Sequence, residues 1–366
     1  MAEKLINRRK MNSKERVLTT FANRTPDRVP INYTANPGIN ERLIKHFKVK
    51  DGDELINVLG VDFRGVGVTK YLGPKLHKDI PERGVKVNDW GMHTRWIEHE
   101  SGGYLDFCDF PLQNATEEEV ANWPMPDPDK FDFSGVQEHC KKNKEYALYV
   151  GGAGLGDIIN SSGMVRGMEQ VLVDLMTDEP AGLLLAKRRV DINLEITRRT
   201  IEAAKGAVDF LWMGEDLGTQ IAPMISLELY RRAIRPFHQK IIDMAKSFKL
   251  PVMIHTCGSS SWAYEDFIEM GINVVDTLQP VAANMSPEYL KKKFGGRLAF
   301  HGCISTAGPV AFGKVEDTVK YCEKTLDIMM PGGGYCFAPT HALQDNSPTE
   351  NVLAMYETAK NYGKYR

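Results

Sequence analysis

The 366-residue sequence lacks several features that would settle its class at once. It has no run of about 18 apolar residues, so no segment reads as a membrane span. The polar start MAEKLINRRKMNSKER has no apolar core of a secretory signal. These two absences predict a soluble protein of the cytoplasm. Positive charge is not in surplus: 46 Lys and Arg stand against 48 Asp and Glu, scattered along the chain, which argues against a nucleic-acid ligand. Six cysteines (Cys108, Cys140, Cys257, Cys303, Cys322 and Cys336) are too sparse for a disulfide scaffold and suggest thiol or metal roles. No repeat, low-complexity tract or Gly/Ser linker divides the chain, which reads as one domain over residues 1–366.

What the sequence does have is a rhythm of short apolar runs, each followed by a longer amphipathic stretch. Eight runs can be proposed as strands, at residues 28–34, 61–67, 146–154, 208–217, 251–257, 272–279, 298–304 and 334–340. Alternation of this kind predicts parallel strands joined by helices, and eight strands close a (β/α)8 TIM barrel. A helical extension is expected over about 1–26. Residues from about 70 to 145, after the second run, alternate like a hairpin before becoming Pro-rich and acidic, and read as an insertion over one mouth of the barrel. Ser226 and Ser286 look like helix N-caps, and Pro236 predicts a kink in the helix after Ser226.

Chemistry in such barrels sits at the C-terminal ends of the strands. The expected strand ends carry Glu215 and Asp216, then His255 and Cys257, then Asp276 and Gln279, then Cys303, then Cys336 with His341 just beyond. His255 and Cys257, at i and i+2, share one face of their strand. With Cys336 they would form three ligands and leave a fourth position open, the pattern of a catalytic zinc site. The plainer reading is two interior side chains that happen to alternate. Cys303 reads as a competing ligand or a packing residue, and His301 as a residue that could orient the ligands. The glycines of GGAGLG, residues 151–156, lack dinucleotide-binding spacing and read as a tight turn at the mouth.

The segments MNSKERVLTTFANRTPDRVPI, MGEDLGTQIAPMIS and RLAFHGCISTAGPVAFG, and the stretch from PGGGYCFAPTHALQDNSPTEN to the C-terminus, resemble the uroporphyrinogen decarboxylase superfamily. That resemblance implies a (β/α)8 barrel. True decarboxylases of the superfamily carry an arginine-rich segment near the N-terminus, where this chain reads INYTANPGINERL. The other branch comprises corrinoid-dependent methyltransferases with a His-x-Cys pair and a distant Cys on zinc, positions matched here by His255, Cys257 and Cys336. The resemblance therefore implies zinc, a corrinoid supplied by a partner protein and methyl transfer from a small methylated substrate. The GEDLGTQ segment and the long insertion favour a methoxylated aromatic over a methylcobamide:coenzyme M reaction. The barrels of this superfamily can also pair as homodimers.

A methyl ether is a poor donor because an alkoxide or phenoxide must leave, and a Lewis acid would disperse that charge. Glu215 is then a candidate fourth ligand or general acid, or a carboxylate paired within the barrel. Asp216 is a second candidate for the chemistry, Gln220 is a candidate substrate contact, and Asp276, Gln279 and His341 are candidates for touching substrate or for supporting the ligands. The rival reading is a metal-free decarboxylase of the same fold.

Overall fold

Seven of the eight expected runs become strands of one parallel sheet in the computed structural model, which describes residues 10–99 and 102–365. In sheet order these are β1 (Phe63–Gly65), β2 (Ala147–Gly151), β3 (Phe210–Gly214), β4 (Val252–Thr256), β5 (Val274–Thr277), β6 (Ala299–Ile304) and β7 (Tyr335–Pro339). They are parallel and strongly apolar because helices cover their outer face while the lumen takes the inner one. Val252, Met253, Ile254, Val274 and Val275 are all fully buried.

The first expected strand, 28–34, is the exception. It makes isolated bridges, Ile31 with Phe337 and Ala35 with Leu343, but no ladder. Even so, it joins the two edges of the sheet. Asn32 N–H donates to the Phe337 carbonyl at 3.0 Å, Phe337 N–H to Pro30 at 2.8 Å, and Asp62 N–H to Ile31 at 2.9 Å. Regular pairing fails here because Pro30 has no N–H and the Ile31 N–H is taken by the Asp62 carboxylate, at 2.8 Å. Asp62 is fully buried and also accepts from Ser13, Arg16 and Arg28 at 2.6 to 2.7 Å. A buried ion-pair cluster thus closes the barrel where strand pairing does not. Its Arg16 and Ser13 come from the helix Ser13–Phe21, the described part of the expected N-terminal extension.

The insertion leaves β1 and returns to β2. It contains the expected hairpin, His93–His99 paired antiparallel with Gly102–Phe107, and its Leu112 and Val120 form a small separate apolar cluster with Val165, Ala181 and Leu185 from beyond β2. Ser226 and Ser286 cap their helices through Leu229 and Tyr289 N–H. The kink expected at Pro236 appears as a π-helical turn, Tyr230–Ile234, running into the helix Arg235–Ser247. No helix among the described residues is long and apolar enough to cross a membrane.

Candidate metal centre

Parallel register sets the levels of the lumen. Gly214, His255, Asp276, His301 and Cys336 pair in one row across β3 to β7. His255 lies at the penultimate position of β4, and Cys257 follows on the same face. Asp216 stands two residues past Gly214, so its side chain also turns inward. The ligand atoms of Asp216, His255 and Cys257 all lie within 4.8 Å of one another, and among the described residues they form the one such group of three or more His, Cys, Asp or Glu side chains.

The donor set and its spacing fit a zinc ion. Zinc bonds of about 2.0 to 2.3 Å to N, O and S place tetrahedral ligand atoms roughly 3.3 to 3.6 Å apart. Cys257 Sγ lies 3.4 Å from His255 Nε2, which lies 3.7 Å from Asp216 Oδ1. Each side chain of the group is held in place. Asp216 Oδ1 accepts the Cys257 N–H at 2.7 Å and Oδ2 accepts from the Asn160 amide at 2.9 Å. On the far side of the His255 ring, Nδ1 is 2.8 Å from Asp276 Oδ2 and 2.7 Å from Thr277 Oγ1, so Nε2 is the nitrogen turned to the centre. Burial disfavours the charged imidazole, but Asp276 and Cys257 outweigh it and hold the His255 pKa well above its usual value. Burial raises the Cys257 pKa. Asp276 is itself buried, yet its two histidine partners hold its carboxyl below the ordinary range.

Two expected placements differ from what the structure shows. Cys336 lies fully buried in the same row, three strands around from His255, beyond Asp276 and His301, and does not join the group. Asp216 takes the third place. Glu215 turns to the outside of β3, where Ile158 and Ile159 N–H donate to its two oxygens at 2.8 and 3.0 Å and His238 Nε2 lies 3.4 Å away. It is therefore neither beside the centre nor paired to Lys or Arg. Burial pushes its pKa up to about 8, against the pull of the two N–H groups. Asp276, a candidate for touching substrate or for supporting the ligands, spends both oxygens on His255 and His301.

Gln279 is likewise engaged, its Oε1 accepting the Gly258 N–H at 2.7 Å and tying the loop that follows Cys257. Gln220 is exposed at the rim. His341 stands near enough to feel His255, Asp216 and Asp276, and its pKa is lowered, first by desolvation and then by the His255 charge. Cys303 packs in the core. The glycine turn after β2 is required: at Gly151, with φ of 86°, a Cβ would fall 2.1 Å from the Trp212 carbonyl. That turn delivers the Ile158 and Ile159 N–H groups to Glu215.

Two residues had no sequence signal beyond their apolar runs. Trp212 and Tyr149, both half-buried, meet edge-on at 5.2 Å, and Trp212 stands 6.0 Å from His301. They form an aromatic wall below the centre. Around the mouth, residues 216–226, 257–264 and 278–287 include one charged side chain, Asp216, in a chain that is 26% charged. Among the described residues the most exposed large apolar side chains are Ile221 (84%) and Val281 (72%), on loops after β3 and β5, Phe312 (75%), at the end of the helix Pro309–Phe312 after β6, and Leu72 (70%), in the insertion.

Residues 111–362 match the uroporphyrinogen decarboxylase (URO-D) family. The chain belongs to that family. Over 142 residues it is 25% identical to the methylcobamide:CoM methyltransferase MtbA of Methanosarcina acetivorans. That stretch is 38% of this chain and 38% of the relative, so the match spans well under half the length of either. A solved methyltransferase from Methanosarcina mazei superposes with a TM-score of 0.60 over 96% of this URO-D family chain and 99% of its own, at 15% identity, a likeness of fold.

Proposed function

We propose that this URO-D family protein is a zinc-dependent methyltransferase that moves a methyl group between a small methylated substrate and a corrinoid carried on a partner protein. The observation that carries the reading is the Asp216, His255 and Cys257 group at the barrel mouth, with spacing that suits zinc and an imidazole oriented from behind by Asp276. Zinc, when bound, supplies Lewis acidity toward a substrate heteroatom. Asp216, His255 and Cys257 would hold it. His341, near enough to the centre to feel its charges, would hydrogen-bond the departing group. Gln220, exposed at the rim, would contact substrate or partner.

The aromatic wall of Trp212 and Tyr149 supports a methoxylated aromatic as the substrate, because a ring can pack edge-on against it. The charge-poor, apolar rim supports a protein partner, since the centres of protein interfaces are depleted of charge. A metal-free decarboxylase is less well supported. Such an enzyme needs cations to grip carboxylates, and among the described residues no Arg or Lys pairs with Asp216, His255, Cys257 or Asp276.

Metal analysis and a transfer assay test the reading together. Protein purified without chelator should hold about one zinc per chain and methylate a supplied reduced corrinoid protein from a methoxyaromatic. Cys257→Ala and Asp216→Ala should lose both properties, while Cys336→Ala keeps its metal. Full metal content in Cys257→Ala, or no transfer from methoxyaromatics, methanol or methylamines, would overturn it.

A further inference from the structure

Behind the candidate ligands lies a run of side chains that extends past Asp276 to the other side of the barrel, and its proton positions can be worked out from one end. Asn32 sits in the segment that closes the sheet. Its Oδ1 lies 2.9 Å from the Tyr33 N–H, and only the carbonyl end of the amide can accept that proton. The opposite end, Nδ2, is a donor only, and it lies 3.0 Å from His301 Nε2. His301 Nε2 must therefore be the accepting nitrogen, which puts the ring proton on Nδ1. That Nδ1 lies 2.5 Å from Asp276 Oδ1, so the N–H donates to the carboxylate. The other oxygen, Oδ2, lies 2.8 Å from His255 Nδ1.

We propose that His301 and Asn32 are positioning residues for the metal centre. Asn32 fixes His301 as the neutral tautomer protonated on Nδ1, His301 pins one oxygen of Asp276, and the other oxygen aims the His255 Nε2 lone pair between Cys257 and Asp216. The proposal rests on the reading of that group as a metal site.

Three features make the chain rigid. Asn32, Asp276 and His301 are 6%, 4% and 3% exposed, so water does not compete for their bonds and a missing member leaves a buried group unpaired. The His301 ring is packed edge-on between Phe63, at 5.4 Å, and Trp212, at 6.0 Å. The residues that pass the contact along come from β4, β5, β6 and the closing segment, so their spacing is set by sheet register and not by mobile loops. Next to Asp276, Thr277 holds a φ of 86°, which a β-branched residue enters only at a cost. In that conformation its hydroxyl reaches His255 Nδ1 at 2.7 Å.

Two measurements on the full chain test this. In metal-free protein, ¹⁵N NMR of the histidine rings should show His301 with a protonated Nδ1 and a bare Nε2. Zinc affinity, read by competition with a chelating dye, should fall roughly 10- to 100-fold in His301→Phe, which keeps the bulk but removes the N–H. Asn32→Ala should give a smaller loss and a mixture of His301 tautomers. A merely structural role would lower the urea midpoint and leave the zinc Kd of the folded protein unchanged. Should His301→Phe not fold, Asn32→Ala and the NMR assignment decide. A proton on Nε2 in the wild type, or zinc bound within twofold of wild type by both variants, overturns the proposal while the metal site stands. A wild-type protein that takes up no zinc overturns the metal reading itself, and this proposal with it.

Discussion

Glu215 offers the sharpest test of how the barrel is built, because its carboxyl is fully buried and its pKa is pushed up to about 8, first by burial. A folded-state pKa above the ordinary one means that the folded protein holds the proton more tightly than the unfolded chain does. The stability this confers is fully present below the ordinary carboxyl pKa, about 4.5, and is lost as pH rises towards about 8. At about 1.4 kcal/mol per unit, the loss between about pH 5.5 and pH 8 comes to roughly 3 kcal/mol.

Glu215→Gln keeps the shape but cannot titrate. Its single oxygen can accept from either Ile158 or Ile159 N–H, while its NH2 meets the other donor, at a cost of about 1–3 kcal/mol. At about pH 5.5 the variant should thus be less stable than wild type, and by about pH 8.5 the gap should close or reverse. Urea unfolding followed by circular dichroism, with chelator present so that metal occupancy does not contribute, measures both curves. If wild type and variant run parallel across this range, Glu215 does not carry the buried proton and the reasoning fails.

Two further perturbations follow from the fold. Asp62→Asn removes a charge that Arg16 and Arg28 share and an acceptor that closes the barrel at Ile31, and should cost about 3–5 kcal/mol in urea unfolding. A loss under about 1 kcal/mol would mean the ion cluster is not the clasp. At the rim, Ile221→Glu combined with Val281→Glu should raise the KM for a corrinoid protein at least tenfold and leave methyl transfer to free cobalamin unchanged. Equal loss in both assays would place the damage in the site itself, and a change of oligomeric state in the double variant would assign the rim to a second copy of the chain.

Much of the barrel was legible because seven strands are short, nearly continuous apolar runs, and such runs fit a sheet covered on both faces. The eighth was not. RVPINYT has a strand-like composition, but its pairing depends on a missing N–H at Pro30 and on a carboxylate at Asp62 that lies in a different run. The His255 and Cys257 pair was legible from spacing alone, as two side chains on one face of a strand. His301 was read as a residue that could orient the ligands, but its partner Asn32 lies 269 positions away, and no local pattern announces that contact.

The third member of the group shows what kind of information was missing. Cys336 was expected from its place at a strand end and from the family resemblance, whereas the choice between Glu215 and Asp216 is one of parity, not residue type. Adjacent residues of an extended chain point to opposite faces, so only one of the two can enter the lumen. Register decides which: Gly214 pairs with His255, whose side chain faces inward, so 214 and 216 face inward and 215 faces out. Composition cannot supply that phase, but one anchored contact can. Trp212, also of even parity, meets His301 in the lumen, and from it Asp216 follows as the lumen-facing carboxylate and Glu215 as the one left to the Ile158 and Ile159 N–H groups.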